Sequence, residues 1–254
     1  MKTHLTIDPA RVHKLTASEV FVTDVETGDE LSPSVTVAVP ASHHRIDGHN
    51  RLPFVVLVEA LRQAGMAYNT LERDTTSCVY ILDRIAVTLT GNRPLVGQTG
   101  WNRRIMLHAE YLSGGRSRTR MAIPNLCTST FEYRRTNRRV YERIRGNQHV
   151  AQMASRHDPV LIHSQGPDGQ PTIELGWDTD DTMIFDHPVD HVPAMVLIEA
   201  ALADRAVNTE SPPHSIDALF LGFLTLTDPI SITSDAGLVH FSQNDQVGAR
   251  VSVQ

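Results

Sequence analysis

Pro53-Phe54-Val55-Val56-Leu57-Val58-Glu59-Ala60 and Pro193-Ala194-Met195-Val196-Leu197-Ile198-Glu199-Ala200 are two versions of one phrase, 140 residues apart and identical at five of eight positions. Each opens on a proline, which suits a first helical turn because the N–H it lacks has no partner there anyway. Each then runs on as an apolar helix of a dozen or more residues. An internal repeat of this kind decides the fold before any single motif does. Strand-like segments precede the first copy at 19–25 and 34–39, and β-rich stretches follow it at 78–90, 104–112 and 118–134. After the second copy come 218–227, 230–233, 238–242 and 247–253, all rich in Val, Ile, Leu, Phe and Thr. One buried helix followed by consecutive strands, twice over, predicts an α+β fold with antiparallel sheets rather than βαβ alternation. The segment 146–169, with His149, Gln152, Ser155, Pro159 and Gly166, reads as a linker, so the predicted domains are 1–150 and 151–254.

The chain of 254 residues is long enough for two domains. It is 41% hydrophobic and 20% charged, a globular rather than a disordered composition. A net charge of −6 argues against nonspecific nucleic-acid binding, which depends on neutralising phosphates. Cys78 and Cys127 form no CxxC pair and no disulfide framework, which fits a reducing, cytoplasmic compartment. Residues 1–11 contain no apolar core of a signal peptide. The longest apolar runs, 54–61 and 194–203, are each interrupted by a glutamate and are too short to span a bilayer, so no membrane role is expected. Of the 23 basic residues only Lys2 and Lys14 are lysines. The chain has no GxGxxG, P-loop, GxSxG or SxxK motif, which excludes a Rossmann dehydrogenase, a kinase-like protein and a covalent serine enzyme.

Glu59 and Glu199 are the strongest chemical signals. The run 194–203 has no polar side chain besides Glu199, so no rotation of the helix gives that carboxylate a polar face. An unpaired carboxylate in an apolar interior costs several kcal/mol or takes up a proton, and a protein keeps one that is partnered or used. Glu59 shares a helix face with Arg62 and Gln63, at i+3 and i+4, in a narrow polar stripe that reads either as a surface ion pair or as the floor of a pocket. Phe185-Asp186-His187-Pro188-Val189-Asp190-His191-Val192-Pro193 leads into the second helix. It sets two acid/base pairs beside backbone N–H donors able to stabilise a carbonyl oxygen that gains charge. A turn with Asp190 at or close to the helix N-cap is the plain alternative. A metal on His187, His191 and an aspartate is the weaker reading, since Pro188 disfavours an HExxH-type helix. His43, His44 and His49, with Asp47, occupy the corresponding place before the first helix and read as a solvated loop. Six arginines at 134, 135, 138, 139, 143 and 145 read as a solvated face or as a docking patch for an acidic partner or phosphate.

Four stretches together resemble the A-factor biosynthesis (AfsA-like) hotdog family. They are Val12-His13-Lys14 with Glu19-Val20-Phe21-Val22-Thr23-Asp24; Glu59-Ala60-Leu61-Arg62-Gln63-Ala64; Val140-Tyr141-Glu142-Arg143-Ile144-Arg145-Gly146; and 185–201. The resemblance implies a double hotdog, two repeats each with a long central helix wrapped by an antiparallel sheet. It implies an acyltransferase of γ-butyrolactone or butenolide signal biosynthesis. Such an enzyme joins a β-ketoacyl group from an acyl-carrier-protein thioester to a hydroxyl of dihydroxyacetone phosphate, without a cofactor. It places catalytic weight on Glu59, Arg62 and Glu199, with Glu59 or Glu199 expected to take the proton of the attacking hydroxyl and Arg62 to hold the phosphate or fix that base. His187 and His191 are candidates for proton transfer, and Gln63, Asp186, Asp190 and the Met195 amide for substrate binding. The chain departs from the family at the second helix, where Leu202 and Ala203 replace Arg and Gln and Ala194 replaces Gly. On this reading Glu59→Ala and Arg62→Ala proteins fold yet lose transfer. Hotdog thioester hydrolysis, 3-hydroxyacyl dehydration and a non-catalytic acyl-binding role stand as alternatives, and a homodimer is left open.

Overall fold

The computed structural model describes residues 7–27, 33–46, 48–71, 77–145, 156–165, 169–209 and 211–254. His149, Gln152, Ser155, Gly166 and Asp47 of the sequence reading lie outside them. The fold divides into two compact units, Met1–Arg145 and Gly146–Gln254.

In the first unit, strands β1 (Val22–Glu26) and β2 (Ser34–Val39) precede helix α1 (Phe54–Leu71). Strands β3 (Cys78–Leu89), β4 (Trp101–Tyr111), β5 (Arg116–Ile123) and β6 (Cys127–Asn137) follow, and a short helix α2 (Arg138–Arg145) closes the unit. The strands are ordered β1-β2-β4-β5-β6-β3 with antiparallel pairing. β5 alternates buried and exposed residues, turning Ser117, Thr119, Met121 and Ile123 inward, as period-two side-chain geometry requires. α1 packs on β1, β2, β5 and β6. From Phe54 to Thr70 its only side chain that is not buried is Arg62, so α1 is a core helix and not an amphipathic surface one.

The second unit repeats the sequence of elements. Strands β7 (Leu161–Gln165) and β8 (Pro171–Leu175) precede helix α3 (Ala194–Asn208), and β9 (Ser215–Phe220), β10 (Ser231–Asp235), β11 (Leu238–Gln243) and β12 (Gln246–Val253) follow. Their order, β7-β8-β10-β11-β12-β9, matches the first unit strand for strand. The inner core is built from Ile216, Ala218, Val239, Phe241, Val251 and Val253 with Val196, Leu197, Ile198 and Ala201 of α3.

Three expectations need correction. β7 lies inside the predicted linker, because Pro159 and Gly169 flank the strands of a hairpin rather than a tether: Leu161 pairs Leu175 and Gln165 pairs Pro171. The stretch 118–134 is two strands, split where Asn125 takes φ 60 and the Leu126 N–H returns to the Ile123 carbonyl. The stretch 218–227 leaves the sheet after Phe220 because a side chain replaces the missing strand neighbour. Gln243 Oε1 accepts from the Thr225 N–H at 2.8 Å, while its Nε2 donates to the Thr225 and Asp228 carbonyls at 3.0 and 2.8 Å.

Gly100, just before β4, sits at φ 97 with its Cβ direction aimed into the Val39 carbonyl. Only glycine holds that backbone without strain. Gly100→Ala therefore costs about 2 kcal/mol or more, read as a lower midpoint in urea unfolding with an unchanged slope.

Candidate functional site

The site of the first unit is built around Glu59, whose carboxylate is fully buried. Arg62 grips it with both edges of the guanidinium: Nε donates to Oε2 at 2.7 Å and Nη2 to Oε1 at 2.8 Å. Gln63 Nε2 donates to Oε1 at 2.9 Å, and Lys14 Nζ, also buried, lies 3.3 Å from the same oxygen. Burial alone would raise the Glu59 pKa. The charges of Arg62 and Lys14, with hydrogen bonds from Arg62 and Gln63, outweigh it and hold the group at about 2. Glu59 is a fixed anion at neutral pH and a poor proton acceptor. The narrow polar stripe of α1 is thus a buried clamp and not a surface ion pair.

The clamp holds the segment before β1. Arg62 Nη2 donates to the Val12 carbonyl at 3.3 Å, Gln63 Nε2 to the Glu19 carbonyl at 2.8 Å, and Gln63 Oε1 accepts from the Phe21 N–H at 2.8 Å. Both Gln63 N–H groups are consumed inside the protein, which leaves none for a substrate. Arg62, 13% exposed, is the group of this cluster nearest solvent, and its Nη1 rests on the Met66 thioether at 2.7 Å, a weak acceptor. Tyr133, buried beside Arg62, has its phenol pKa raised, chiefly by burial.

Sequence reasoning missed Lys14 and Glu19. The signal for Lys14 was present: it is one of two lysines in a chain that otherwise uses arginine. The reading of His43 as solvated is overturned. It is buried, its Nε2 lies 3.2 Å from Glu19 Oε2, and its ring meets Phe21 edge-on at 5.3 Å. Glu19, His43 and His44 converge closely enough to hold a metal ion. The chemistry of the donors argues against it. His43 Nδ1 accepts the Arg45 N–H at 3.3 Å, which leaves the proton on Nε2, whereas a metal-bound imidazole needs a bare nitrogen there and a donor at the other.

In the second unit the segment before α3 folds its acid/base residues into two adjacent pairs. His187 Nδ1 lies 2.6 Å from Asp186 Oδ1, with the aspartate side chain fully buried and the imidazole 31% exposed. His191 Nδ1 lies 2.6 Å from Asp190 Oδ1, and its ring meets Phe223 edge-on at 5.2 Å. Asp190 is therefore not the N-cap of α3; Pro193 occupies that position without a side-chain bond. A carboxylate that accepts from Nδ1–H leaves Nε2 as the acceptor nitrogen of the ring. Met195 is buried, so only its backbone can serve a ligand. Glu199, expected in an apolar interior, is half-buried instead. It lies one turn past Met195 on the same helix face.

The two local geometries stand in the same order as the sequence phrases that carry them. The A-factor biosynthesis hotdog domain matches residues 1–79 and 149–202, just over half of the chain. The chain belongs to the A-factor biosynthesis hotdog family. The matched residues include the Glu59 clamp of this family member and both of its Asp–His pairs. The fold is similar to that of an acyl-ACP thioesterase from Bacteroides thetaiotaomicron VPI-5482, with TM-score 0.60, 15% identity, and 87% of this chain and 96% of that one covered. It is also similar to a 12:0-ACP thioesterase from Umbellularia californica, with TM-score 0.51, 9% identity, and 87% and 92% covered. The family member thus has a hotdog fold with a large antiparallel sheet. No curated protein matches it in sequence. No helix among the described residues is long and apolar enough to cross a membrane, and both cysteines are free thiols.

Proposed function

We propose that the chain is an acyltransferase that moves a β-ketoacyl group from an acyl-carrier-protein thioester to the hydroxyl of dihydroxyacetone phosphate, in γ-butyrolactone or butenolide signal biosynthesis. Family membership supports the signal-forming chemistry. The observation that carries the reaction type is the Asp186–His187 pair, a buried carboxylate behind a half-exposed imidazole at the start of α3.

The reaction is direct transfer. His187 Nε2 takes the proton of the attacking hydroxyl, and Asp186 orients the ring and stabilises the imidazolium. The new C–O bond forms as the C–S bond breaks, and the proton passes from the imidazolium to the departing thiolate. N–H groups of the first turn of α3, at Met195, offer the thioester oxygen a place to carry charge. Asp190–His191 and Glu199 position the acceptor. Glu59 serves as the anion that fixes Arg62 and Lys14. No cofactor is required. The matching strand orders support reading 1–150 and 151–254 as two hotdog repeats, each with a long helix and six antiparallel strands. A cytoplasmic protein, either monomer or homodimer, fits this reading.

The test is mass spectrometry of the protein with a β-ketoacyl thioester, with and without dihydroxyacetone phosphate. A phosphorylated ester formed only with the acceptor is the expected result. Free acid or an enoyl product without acceptor would place the chain with hydrolases or dehydratases, since the same imidazole can activate water.

A further inference from the structure

The charge of the chain is divided unevenly. Met1–Arg145 carries 20 Lys and Arg against 14 Asp and Glu, whereas Gly146–Gln254 carries 3 against 15. In the first unit the excess gathers where the end of the β5–β6 pair meets α2, and there the placement of arginines runs against local electrostatics three times. Arg116 and Arg134 are direct cross-strand partners, and like charges in that position repel. Arg138 and Arg139 fill the first turn of α2, where no acid stands, although a helix N-terminus favours negative charge. Arg139 and Arg143 are an i,i+4 pair of like charges. All of these side chains are exposed, and so are Arg135 and the apolar Val140 beside them. Asp83, 2.9 Å from Arg134, offsets one charge, and Glu142, at i+4 from Arg138 and i+3 from Arg139, offsets another on α2. On the outer face of β4 and β5, by contrast, arginines are matched with acids: Arg104 with Glu26, Arg118 with Glu132, Arg120 with Glu110.

We infer that this arginine end is a docking surface for an acidic protein, the acyl carrier protein itself, an inference that rests on the proposed acyl transfer. Three local repulsions at one exposed place are relieved together when a polyanionic surface binds over them. The net charge of −6 favours a compact acidic protein, which meets only this end of the first unit, over a nucleic acid, whose binding depends on a broad excess of basic charge.

The test replaces three residues outside the proposed chemistry, Arg116→Ser, Arg139→Ser and Arg143→Ser in one protein. Binding of a phosphopantetheinylated bacterial acyl carrier protein is measured by fluorescence anisotropy at low and high salt. Transfer rates are measured from the carrier-bound thioester and from the matching small pantetheine thioester. The expected result is carrier affinity about tenfold or more weaker, a flatter salt dependence, and transfer slowed only from the carrier. The corresponding triple Arg→Lys protein, which keeps the charge, retains binding. Unchanged carrier affinity in the serine protein overturns the inference, as does wild-type protein that binds a 20-base-pair duplex more tightly than the carrier. If the wild type transfers from neither thioester, the proposed reaction fails, and the docking surface is still decided by the carrier affinities alone. Should the serine protein not fold, as judged by its melting curve, the single Arg116→Ser and Arg143→Ser proteins replace it under the same criterion.

Discussion

Glu59→Ala destabilises the protein by about 3–5 kcal/mol, the cost of leaving buried cations without their counter-ion. Lys14 and Arg62 both point at this carboxylate, and Gln63 loses an acceptor with it. The sequence-based expectation of a folded but inactive Glu59→Ala protein is therefore replaced by one in which folding suffers first. Denaturant titration checks this directly, and a Glu59→Ala protein as stable as wild type would contradict the buried clamp. The pH dependence carries the same signature. The Glu59 pKa falls from an ordinary 4.5 to about 2 in the folded chain. A depressed carboxylate contributes stability that is fully present above the unfolded value and is lost as pH falls from about 4.5 through about 2. Over that interval the contribution is on the order of 3 kcal/mol. Glu59→Gln removes the titration, so its acid unfolding curve is flatter between those limits than that of the wild type.

His187→Ala shows the opposite pattern, with stability nearly unchanged and kcat for acyl transfer lowered by about 10²–10⁴-fold, the usual worth of a positioned general base. The imidazole is partly exposed, so its removal opens no core cavity, whereas the buried Asp186 holds one nitrogen and leaves the other to act. Asp186→Asn keeps the shape but loses the acceptor that fixes the ring, and is expected to lower kcat by about 10²-fold or more with a smaller change in KM. His191→Ala, whose Asp190 partner is more exposed, changes KM more than kcat. Steady-state rates on a β-ketoacyl thioester with dihydroxyacetone phosphate separate these effects. A His187→Ala protein with wild-type kcat would move the base elsewhere on the segment leading into α3.

Most of the scaffold was readable along the chain. The two Pro-led phrases became α1 and α3, and the β-branched runs at 34–39, 78–90, 238–242 and 247–253 became β2, β3, β11 and β12 within a residue or two. These elements follow from local periodicity and from where proline stands. The misreadings came where punctuation residues have two meanings. Pro159, Gly166 and Gly169 signal a linker and a hairpin equally well, and only the pairing of Leu161 with Leu175 distinguishes them. The stretch 218–227 has strand composition throughout, yet Gln243 satisfies its second half from another strand.

The candidate site divides along the same line. Asp186-His187 and Asp190-His191 are neighbours in sequence, so their pairing is a local event and the residues alone announce it. The two glutamates are alike in sequence and unlike in the fold. Glu199 stands in the more apolar run and is half-buried, while Glu59 stands beside polar residues and is sealed. The sequence by itself determined that a carboxylate stands at the same place in two repeated helices. Tertiary structure alone decided which of them is clamped as a permanent anion, because a buried charge takes its state from its partners, and Lys14 reaches Glu59 only when the chain before β1 folds back onto α1.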